Sequence, residues 1–225
     1  MAFFYSPNVV TDGLIFAVDA ADKNSYPGSG TAWTDLAGSN DGTLTNGPTF
    51  DSGNGGSFSF DGANDITILD ISNIFPTGNQ SHNLSVNCWV KVPNTTTGQI
   101  FLGNRKSNDR LWLGMYSATW LVGWGNGYQA GTISATTNWT NVCASISNGV
   151  ATVYVNGVSD ATRTDTSVTI DSTFPIGAYI NVSENTYDTN NSHPNSISNV
   201  SFYNRSLSTS EITQNYNALK GRFGL

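Results

Sequence analysis

Apolar and polar residues alternate along several short segments of the chain, as they do in strands that bury one face. The residues that would face one side of the segment 84–92 are Leu84, Val86, Cys88, Val90 and Val92. The segment 151–155 alternates in the same way and runs into Asn156-Gly157, so it predicts a strand that enters a hairpin. Further short strands are predicted at 13–19, 57–60, 99–104, 111–116, 120–124, 139–147, 174–180 and 196–203.

Turn residues separate these segments at short intervals. Asp-Gly and Asn-Gly pairs supply the positive φ angles that tight hairpins require. Such pairs begin at Asp12, Asp41, Asn46, Asn54, Asp61, Asn126, Asn148 and Asn156. Short strands between frequent turns, with no helical period between them, are typical of a sandwich or barrel rather than of βαβ units.

The last part of the chain has the pattern of a helix. A capping box at Ser208 and Glu211 precedes one apolar stripe. The residues of the stripe are Ile212, Tyr216 and Leu219. A helix is therefore predicted over 208–220, packed on the sandwich and ended by Gly221. No linker or repeat divides the chain, so residues 1–225 are predicted to form one domain.

Composition and charge limit the partners of such a domain. Charged residues make up 11% of the 225 residues, against about 25% in an average soluble domain, and the net charge is −7. The nine Lys and Arg residues form no basic run, which argues against nucleic acid and anionic membranes as partners. No apolar stretch approaches the roughly 20 residues of a membrane span, so membrane insertion is not expected. The start of the chain, MAFFYSPNVV, does not have the pattern of a secretory signal.

Few residues are suited to catalysis. Glycoside hydrolysis needs two carboxylates that flank the scissile bond, yet the only glutamates are Glu184 and Glu211, and Glu211 belongs to the predicted helix cap. His82 and His193 lie in predicted loops, and the sequence contains no Gly-x-Ser-x-Gly elbow. The protein is therefore not expected to be an enzyme.

Metal ligands are sparse as well. Cys88 and Cys143 lie in predicted strands and are expected to be buried thiols, with a disulfide between neighbouring strands as the alternative. Asp61 and Asp65 could supply part of a calcium site, with Asn199 as a distant contributor, because calcium prefers several oxygen ligands. The alternative is a plain turn, and no cofactor is required.

Aromatic residues recur at intervals of four in one part of the chain. They are Trp112, Tyr116, Trp120, Trp124 and Tyr128. Glycines between them disfavour a helix, so two strands are predicted around a turn at 117–119. Flat rings on one sheet face could stack on sugar rings, which makes these five residues the candidate carbohydrate site. The alternative is that the rings fill the space between the two sheets.

Four stretches resemble the laminin-G-like, concanavalin A-like lectin superfamily. They are FSFDGAND at 58–65, LSVNCWVK at 84–91, VYVNG at 153–157 and VSFYNRSLS at 200–208, which leads into the capped helix. The resemblance implies an all-β, two-sheet antiparallel jelly-roll sandwich with one short C-terminal helix. The sequence departs from the pattern at Asn199, where related domains often carry an acidic residue, and this weakens the implied calcium site.

The two ends of the chain are similar to such domains in structural proteins of tailed bacteriophages, notably those of marine hosts. The stretches concerned are 10–14, 25–36 and 217–222. The similarity implies a virion protein that is made in the host bacterial cytoplasm and exposed on the capsid or tail. Its expected partners are phage capsid or tail proteins and host-surface glycans, and the virion site would set its oligomeric state. Residues 1–11 are then a candidate anchoring arm, or alternatively an edge strand.

The leading hypothesis is a non-enzymatic virion surface protein with a decoration or accessory role. A complete tail fibre would need shaft repeats or heptads, and the sequence has neither. One alternative is a free-standing lectin that uses the region 112–128. The other is a polysaccharide-cleaving enzyme that would depend on Glu184.

Overall fold

The computed structural model describes residues 7–71, 79–80, 83–106, 109–166, 168–170, 173–181, 186–187 and 192–225. Three of the residues or segments discussed above lie outside these ranges, namely 1–6 of the candidate arm, His82 and Glu184. The described strands are β1 (Leu14–Asp19), β2 (Ala32–Trp33), β3 (Gly42–Thr45), β4 (Thr49–Asp51), β5 (Ser57–Phe60), β6 (Ile66–Asp70), β7 (Asn79–Gln80), β8 (Leu84–Lys91), β9 (Gln99–Lys106), β10 (Asp109–Tyr116), β11 (Thr119–Trp124), β12 (Gly127–Ser134), β13 (Thr140–Ser147), β14 (Val150–Val155), β15 (Val158–Thr164), β16 (Val168–Thr169), β17 (Thr173–Ile176), β18 (Ile180–Asn181), β19 (Thr186–Tyr187) and β20 (Asn195–Tyr203). The helices are the 3₁₀ helix η1 (Gly53–Gly55), α1 (Thr209–Leu219) and the 3₁₀ helix η2 (Lys220–Phe223).

Most of these strands belong to two sheets. The first sheet has the order β15-β14-β13-β8-β20-β5-β4, and β1 also pairs with β20. The second sheet has the order β12-β11-β10-β9-β17-β6-β3-β2, and β18 joins it beside β9. Neighbouring strands run antiparallel throughout both orders, so the predicted two-sheet antiparallel jelly-roll sandwich with one short C-terminal helix is confirmed.

The core lies between the sheets, where the alternation of the sequence places the apolar side of each strand. Leu84, Val86 and Val90 of β8 face it, together with Val153 of β14 and Phe202 of β20. Their neighbours along each strand point to the opposite face, because successive side chains of a strand alternate. Each sheet therefore has an inner face in the core and an outer face that points away from it.

The two cysteines lie on opposite faces of the first sheet. Cys88 belongs to the core between the sheets, whereas Cys143 packs on the outer face with Tyr203 and Ile212. Two cysteines whose side chains point apart cannot be bridged, and both are free thiols. Burial raises the pKa of each thiol, which keeps both protonated and unreactive. The disulfide alternative is therefore wrong.

Helix α1 covers part of the outer face of the first sheet. Its predicted capping box is present, because Ser208 Oγ accepts the Glu211 N–H at 3.4 Å and Glu211 Oε2 accepts the Ser208 N–H at 2.8 Å. Gly221 does not end the helical segment, which continues through η2 to the left-handed residue Gly224 (φ 75°). In the described part of the chain, no helix is long and apolar enough to cross a membrane.

The end of the chain is fixed on the same outer face. The ring of Phe223 stacks on Trp89 with a centroid distance of 4.2 Å. The neighbouring Arg222 donates hydrogen bonds to both carboxylate oxygens of Asp19 at 2.8 Å, and also to Ser198 Oγ and to the Gly56 carbonyl. These contacts hold η2 against β1 and β20.

Candidate functional site

Strands β9, β10, β11 and β12 form one end of the second sheet, and their outer face carries a group of aromatic side chains. Trp112 on β10 lies opposite Gly103 on β9 and opposite Gly123 on β11. Gly123 lies in turn opposite Tyr128 on β12. Cross-strand partners point to the same face, so this row places Trp112 and Tyr128 on the outer face with a glycine between them.

The two glycines explain how Trp112 can lie against the sheet. A Cβ atom at Gly123 would overlap the indole ring of Trp112, and one at Gly103 would overlap the backbone of Trp112. Gly103 also has a φ of +108°, which other residues rarely adopt. The indole therefore packs on bare backbone, and Trp112 is only 7% exposed.

Two tyrosine rings extend this surface. The ring centroids of Trp112 and Tyr128 are 5.8 Å apart, and those of Tyr128 and Tyr116 are 6.0 Å apart. Tyr116 is 52% exposed and Tyr128 is 46% exposed. Tyrosine combines a large apolar ring with a hydroxyl group and is enriched at binding surfaces for that reason.

A cleft with a volume of about 260 Å³ opens between these rings. Its apolar wall comes from Ile100, Leu121 and Tyr179, which pack with Trp112 in one cluster. Arg110 of β10 also lines the cleft. The indole Nε1 of Trp112 is buried and has no hydrogen-bond partner among the described residues. The cleft thus offers the faces of aromatic rings and the hydroxyl groups of Tyr116 and Tyr128.

The structure divides the five predicted carbohydrate-binding residues into two groups. Trp112, Tyr116 and Tyr128 share the outer face, whereas Trp120 and Trp124 point into the core, where they are 1% and 0% exposed. For these last two residues the prediction of a carbohydrate site is wrong. Their rings instead fill the space between the two sheets, as the alternative predicted.

The hairpin register is the physical reason for this division. Tyr116 pairs with Thr119, and Met115 pairs with Trp120, so Trp120 shares the inward direction of Met115. Two residues form the turn, which means that outer-face positions are even-numbered on β10 and odd-numbered on β11. A spacing of four residues across this turn therefore reverses the face.

Sequence reasoning missed several residues of the cleft. Leu121 was not predicted, because the sheet face on which it lies depends on the hairpin register. Tyr179 lies between β17 and β18, far along the chain, and reaches the cleft because both strands pair with β9. Arg110 has the same parity as Trp112 and Tyr116 on β10, which was the one signal that could have found it.

The comparisons with known proteins agree with this architecture. Residues 60–213 match the family described as the Concanavalin A-like lectin/glucanases superfamily. The chain belongs to that superfamily. No curated protein matches the chain at a significant level.

Solved structures share the fold of this concanavalin A-like domain at low sequence identity. The binding domain of botulinum neurotoxin serotype D has a TM-score of 0.69 and 18% identity over 92% of this chain and 51% of the toxin domain. The binding domain of botulinum neurotoxin DC in complex with SialylT has a TM-score of 0.70 and 15% identity over 93% of this chain and 52% of that domain. Trypanosoma rangeli sialidase in complex with 2,3-difluorosialic acid has a TM-score of 0.69 and 17% identity over 93% of this chain and 33% of the sialidase. The chain thus spans about half the length of the toxin domains, and the likeness concerns the fold alone.

In the concanavalin A-like domain, Asp61 and Asp65 shape the turn between β5 and β6. Asp61 Oδ1 accepts the Ala63 N–H at 2.8 Å, and Asp65 Oδ2 accepts the Asp61 N–H at 3.1 Å. Backbone hydrogen bonds, led by that of Ala63, lower the pKa of Asp61, whereas burial raises the pKa of Asp65. Asn199 lies elsewhere, on the outer face of the first sheet beside Trp89. The residues that the structure describes contain no cluster of three or more metal-ligating side chains, and calcium binding stays a prediction.

The carboxylate of Glu211 is occupied by the helix cap. Arg205 donates to it through Nη2 at 2.6 Å and Nη1 at 3.1 Å. These hydrogen bonds, followed by that of the Ser208 N–H, lower the pKa of Glu211 to about 2. A carboxyl group with so low a pKa is ionised at neutral pH and cannot act there as a general acid.

Proposed function

We propose that this concanavalin A-like domain is a non-enzymatic carbohydrate-binding protein and that the cleft beside Trp112 is its binding site. The observation that supports this most directly is the pair of exposed rings, Tyr116 and Tyr128, beside the indole of Trp112. This indole can lie flat on the sheet because glycines lie beneath it. We propose further that the protein needs no cofactor and acts on the surface of a bacteriophage virion.

The chemistry of the cleft suits a sugar. A pyranose ring has an apolar C–H face and a rim of hydroxyl groups, so it needs flat apolar partners and a few polar ones. Ligand sites of this kind are concave, mostly apolar and aromatic, with a small number of placed polar groups. The rings of Trp112, Tyr116 and Tyr128 supply the flat faces, and the tyrosine hydroxyls supply polar groups.

The distribution of carboxylates favours binding over hydrolysis. Cleavage of a glycosidic bond requires two carboxyl groups at the site. None of the described residues that line the cleft is an aspartate or a glutamate. Glu211 lies on the helix side of the first sheet, paired with Arg205. The described part of the cleft therefore lacks the groups that a hydrolase would use.

The virion setting rests on the sequence. The stretches 10–14, 25–36 and 217–222 are similar to domains of tailed-bacteriophage structural proteins. A glycan-binding cleft on one sheet and a helix-covered face on the other would let such a protein attach to the virion while it presents its site outward. Phage capsid or tail proteins and host-surface glycans are then its two partners.

Glycan binding is tested with a glycan array, followed by titration of the bound sugars against tryptophan fluorescence. Replacing Tyr116 or Tyr128 by alanine should weaken binding about two- to twelvefold each, because one aromatic contact contributes about 0.5–1.5 kcal/mol. The matched control variants are Tyr116→Phe and Tyr128→Phe, which keep the rings and should retain most of the affinity. No binding to any glycan of a diverse array would overturn the proposal.

The virion setting is tested on gradient-purified phage by mass spectrometry and immuno-gold labelling with an antibody against this chain. Labelling over the heads would indicate capsid decoration, and labelling at the tails would indicate an accessory tail protein. Absence of the protein from purified virions would contradict this part of the proposal and leave a free-standing lectin.

A further inference from the structure

Strand β12, which carries Tyr128, is the last strand of the second sheet. It pairs with β11, and the register of this pair shifts between Ala130 and Ser134, so that residues 131–133 of β12 lie opposite the single residue Trp120. An irregularity of this kind interrupts the ladder of hydrogen bonds. Backbone groups of β12 must then be paired by something other than a neighbouring strand.

Side chains of β15, the last strand of the first sheet, supply this pairing. The Asp160 carboxylate accepts the Thr132 N–H at 2.7 Å, the Thr132 hydroxyl at 2.9 Å and the Ile133 N–H at 3.1 Å. Asp160 lies at a β-bulge, where the register of β15 with β14 shifts. A bulge can re-aim a side chain, and this one lets the carboxylate reach the other sheet.

Two further side chains fix the segment that leads into β12. The guanidinium of Arg163 donates to the Trp124 carbonyl through Nε at 2.7 Å and to Asn126 Oδ1 through Nη2 at 2.6 Å. Asp165 Oδ2 accepts the Asn126 N–H at 3.1 Å. Tyr128 therefore lies between two anchors, one just before β12 and one near its end.

Glycines of β12 make room for these side chains. A Cβ atom at Gly127 would overlap the guanidinium of Arg163. A Cβ atom at Gly131 would overlap the carboxylate of Asp160. The two glycines lie on either side of Tyr128 along the strand, so β15 fits closely against β12 both before and after the tyrosine.

We infer that β15 positions Tyr128 in the cleft and that Asp160 and Arg163 are the positioning residues. This inference rests on the proposed carbohydrate-binding function and adds residues of the first sheet to a site on the second. Neither residue belongs to the described lining of the cleft, so both act through β12 rather than through the ligand. The ring of Tyr128 is 46% exposed, and its place therefore depends on the strand that carries it.

A double-mutant cycle tests this inference on the glycans that the wild-type protein binds on the array. Asp160→Ala should weaken binding about three- to tenfold, within the loss expected for Tyr128→Ala. In the Tyr128→Ala background, Asp160→Ala should change the affinity by less than about twofold, because the ring through which it acts is gone. Equal losses in both backgrounds would overturn the inference and leave carbohydrate binding intact.

Two more variants complete the cycle. Gly131→Ala disturbs the same contact from the side of β12 and should weaken binding as Asp160→Ala does. Thr162→Ala is the matched control, because Thr162 is exposed on the same strand and its neighbour Arg163 points to the opposite face. Its affinity should equal that of the wild type. Circular dichroism and the melting temperature of each variant show that it is folded, and unchanged binding in both Asp160→Ala and Gly131→Ala would overturn the inference.

A measurement without ligand separates this inference from the proposed function. In protein labelled with fluorotyrosine, the fluorine NMR signal of Tyr128 is identified by its loss in Tyr128→Phe. Asp160→Ala should shift this signal, and Thr162→Ala should not. An unshifted signal in Asp160→Ala would overturn the inference. No glycan binding at all would overturn the proposed function, and the fluorine signal would still decide whether β15 positions the ring.

Discussion

The two sheets both carry tryptophan on their outer faces, but different neighbours surround it. On the first sheet, Trp89 is buried under Phe223, which stacks on it at 4.2 Å, and under Tyr216 at 5.7 Å. On the second sheet, Trp112 packs down onto glycine backbone and adjoins two tyrosines that are about half exposed. The first arrangement resembles a small core, and the second resembles a binding surface.

The difference shows that the type of residue does not decide its role. The C-terminal segment contributes apolar side chains that pack on Trp89, so burial of this face stabilises the folded protein. The glycines opposite Trp112 contribute no side chains, and the neighbouring tyrosines leave room for a ligand. Changes on the helix side should therefore affect stability first, and changes on the cleft side should affect binding first.

The largest effect is expected from Phe223→Ala. Removing a buried phenylalanine costs about 3–5 kcal/mol, and Phe223, which is 9% exposed, should fall at the lower end of this range, at about 3 kcal/mol. For a chain of this length, that corresponds to a melting temperature lower by about 6–12 °C. The comparison variant Tyr128→Ala removes an exposed ring and should cost less than about 1 kcal/mol. Thermal and urea unfolding measure the loss of stability in both variants. Equal losses would contradict the proposed difference between the two sheets.

The next effect concerns the arginine that fixes the chain end. Arg222→Gln should destabilise the protein by about 2–3 kcal/mol, because hydrogen bonds of charged groups to Asp19, Ser198 and Gly56 are lost in a partly buried site. Asp19→Asn should add little to Arg222→Gln, since both changes break the same ion pair. The control Lys220→Gln removes a neighbouring charge and should have a small effect. Strictly additive losses for Arg222 and Asp19 would show that the pair is not coupled.

A smaller but more diagnostic effect is expected from Gly123→Ala. The added methyl group would overlap the indole of Trp112, so the ring must move, at a cost of about 1–3 kcal/mol. Glycan binding should fall more strongly than stability, and tryptophan emission should shift. In the control Gly221→Ala, no atom lies within 4 Å of the added Cβ, so neither property should change. Unchanged glycan binding in Gly123→Ala would show that the position of the Trp112 indole does not matter for the site.

Features set by neighbours in sequence could be predicted from the sequence. The alternation at 84–92 predicted β8 and its inner face, because side-chain direction along a strand depends only on position. The capping box at Ser208 predicted the start of α1 for the same reason, since both of its hydrogen bonds are local. The predicted helix end at Gly221 is not matched, because η2 continues through this residue and is held by distant contacts of Arg222 and Phe223.

The cleft could be predicted only in part, because its shape depends on register. The turn residues Ser117 and Ala118 both adopt positive φ angles, although neither is a typical residue for such a turn. Without that turn type, the facing of Trp120 relative to Trp112 cannot be worked out from spacing. Tyr179 joins the site only after distant strands have paired.

The smallest expected effect is a pH-dependent one at the helix that covers the first sheet. Glu211 has a pKa of about 2 in the folded protein, against 4.5 for an ordinary glutamate, chiefly because Arg205 donates hydrogen bonds to it. A depressed folded-state pKa contributes stability that is present above pH 4.5 and is lost as the pH falls toward 2. Glu211→Gln should therefore cost about 1 kcal/mol at pH 7, and its difference from the wild type should narrow steadily below pH 4.5.

Urea unfolding of both proteins between pH 7 and pH 3 measures this difference. Asp12→Asn is the matched control, because Asp12 contacts the same Arg205 at 2.9 Å but its side chain is 86% exposed, so its loss should change little. A constant difference in stability across the pH range would mean that the negative charge of Glu211 does not contribute to the stability of the helix cap. A difference that narrows as expected would show that the ion pair between Glu211 and Arg205 helps to hold the helix on the first sheet.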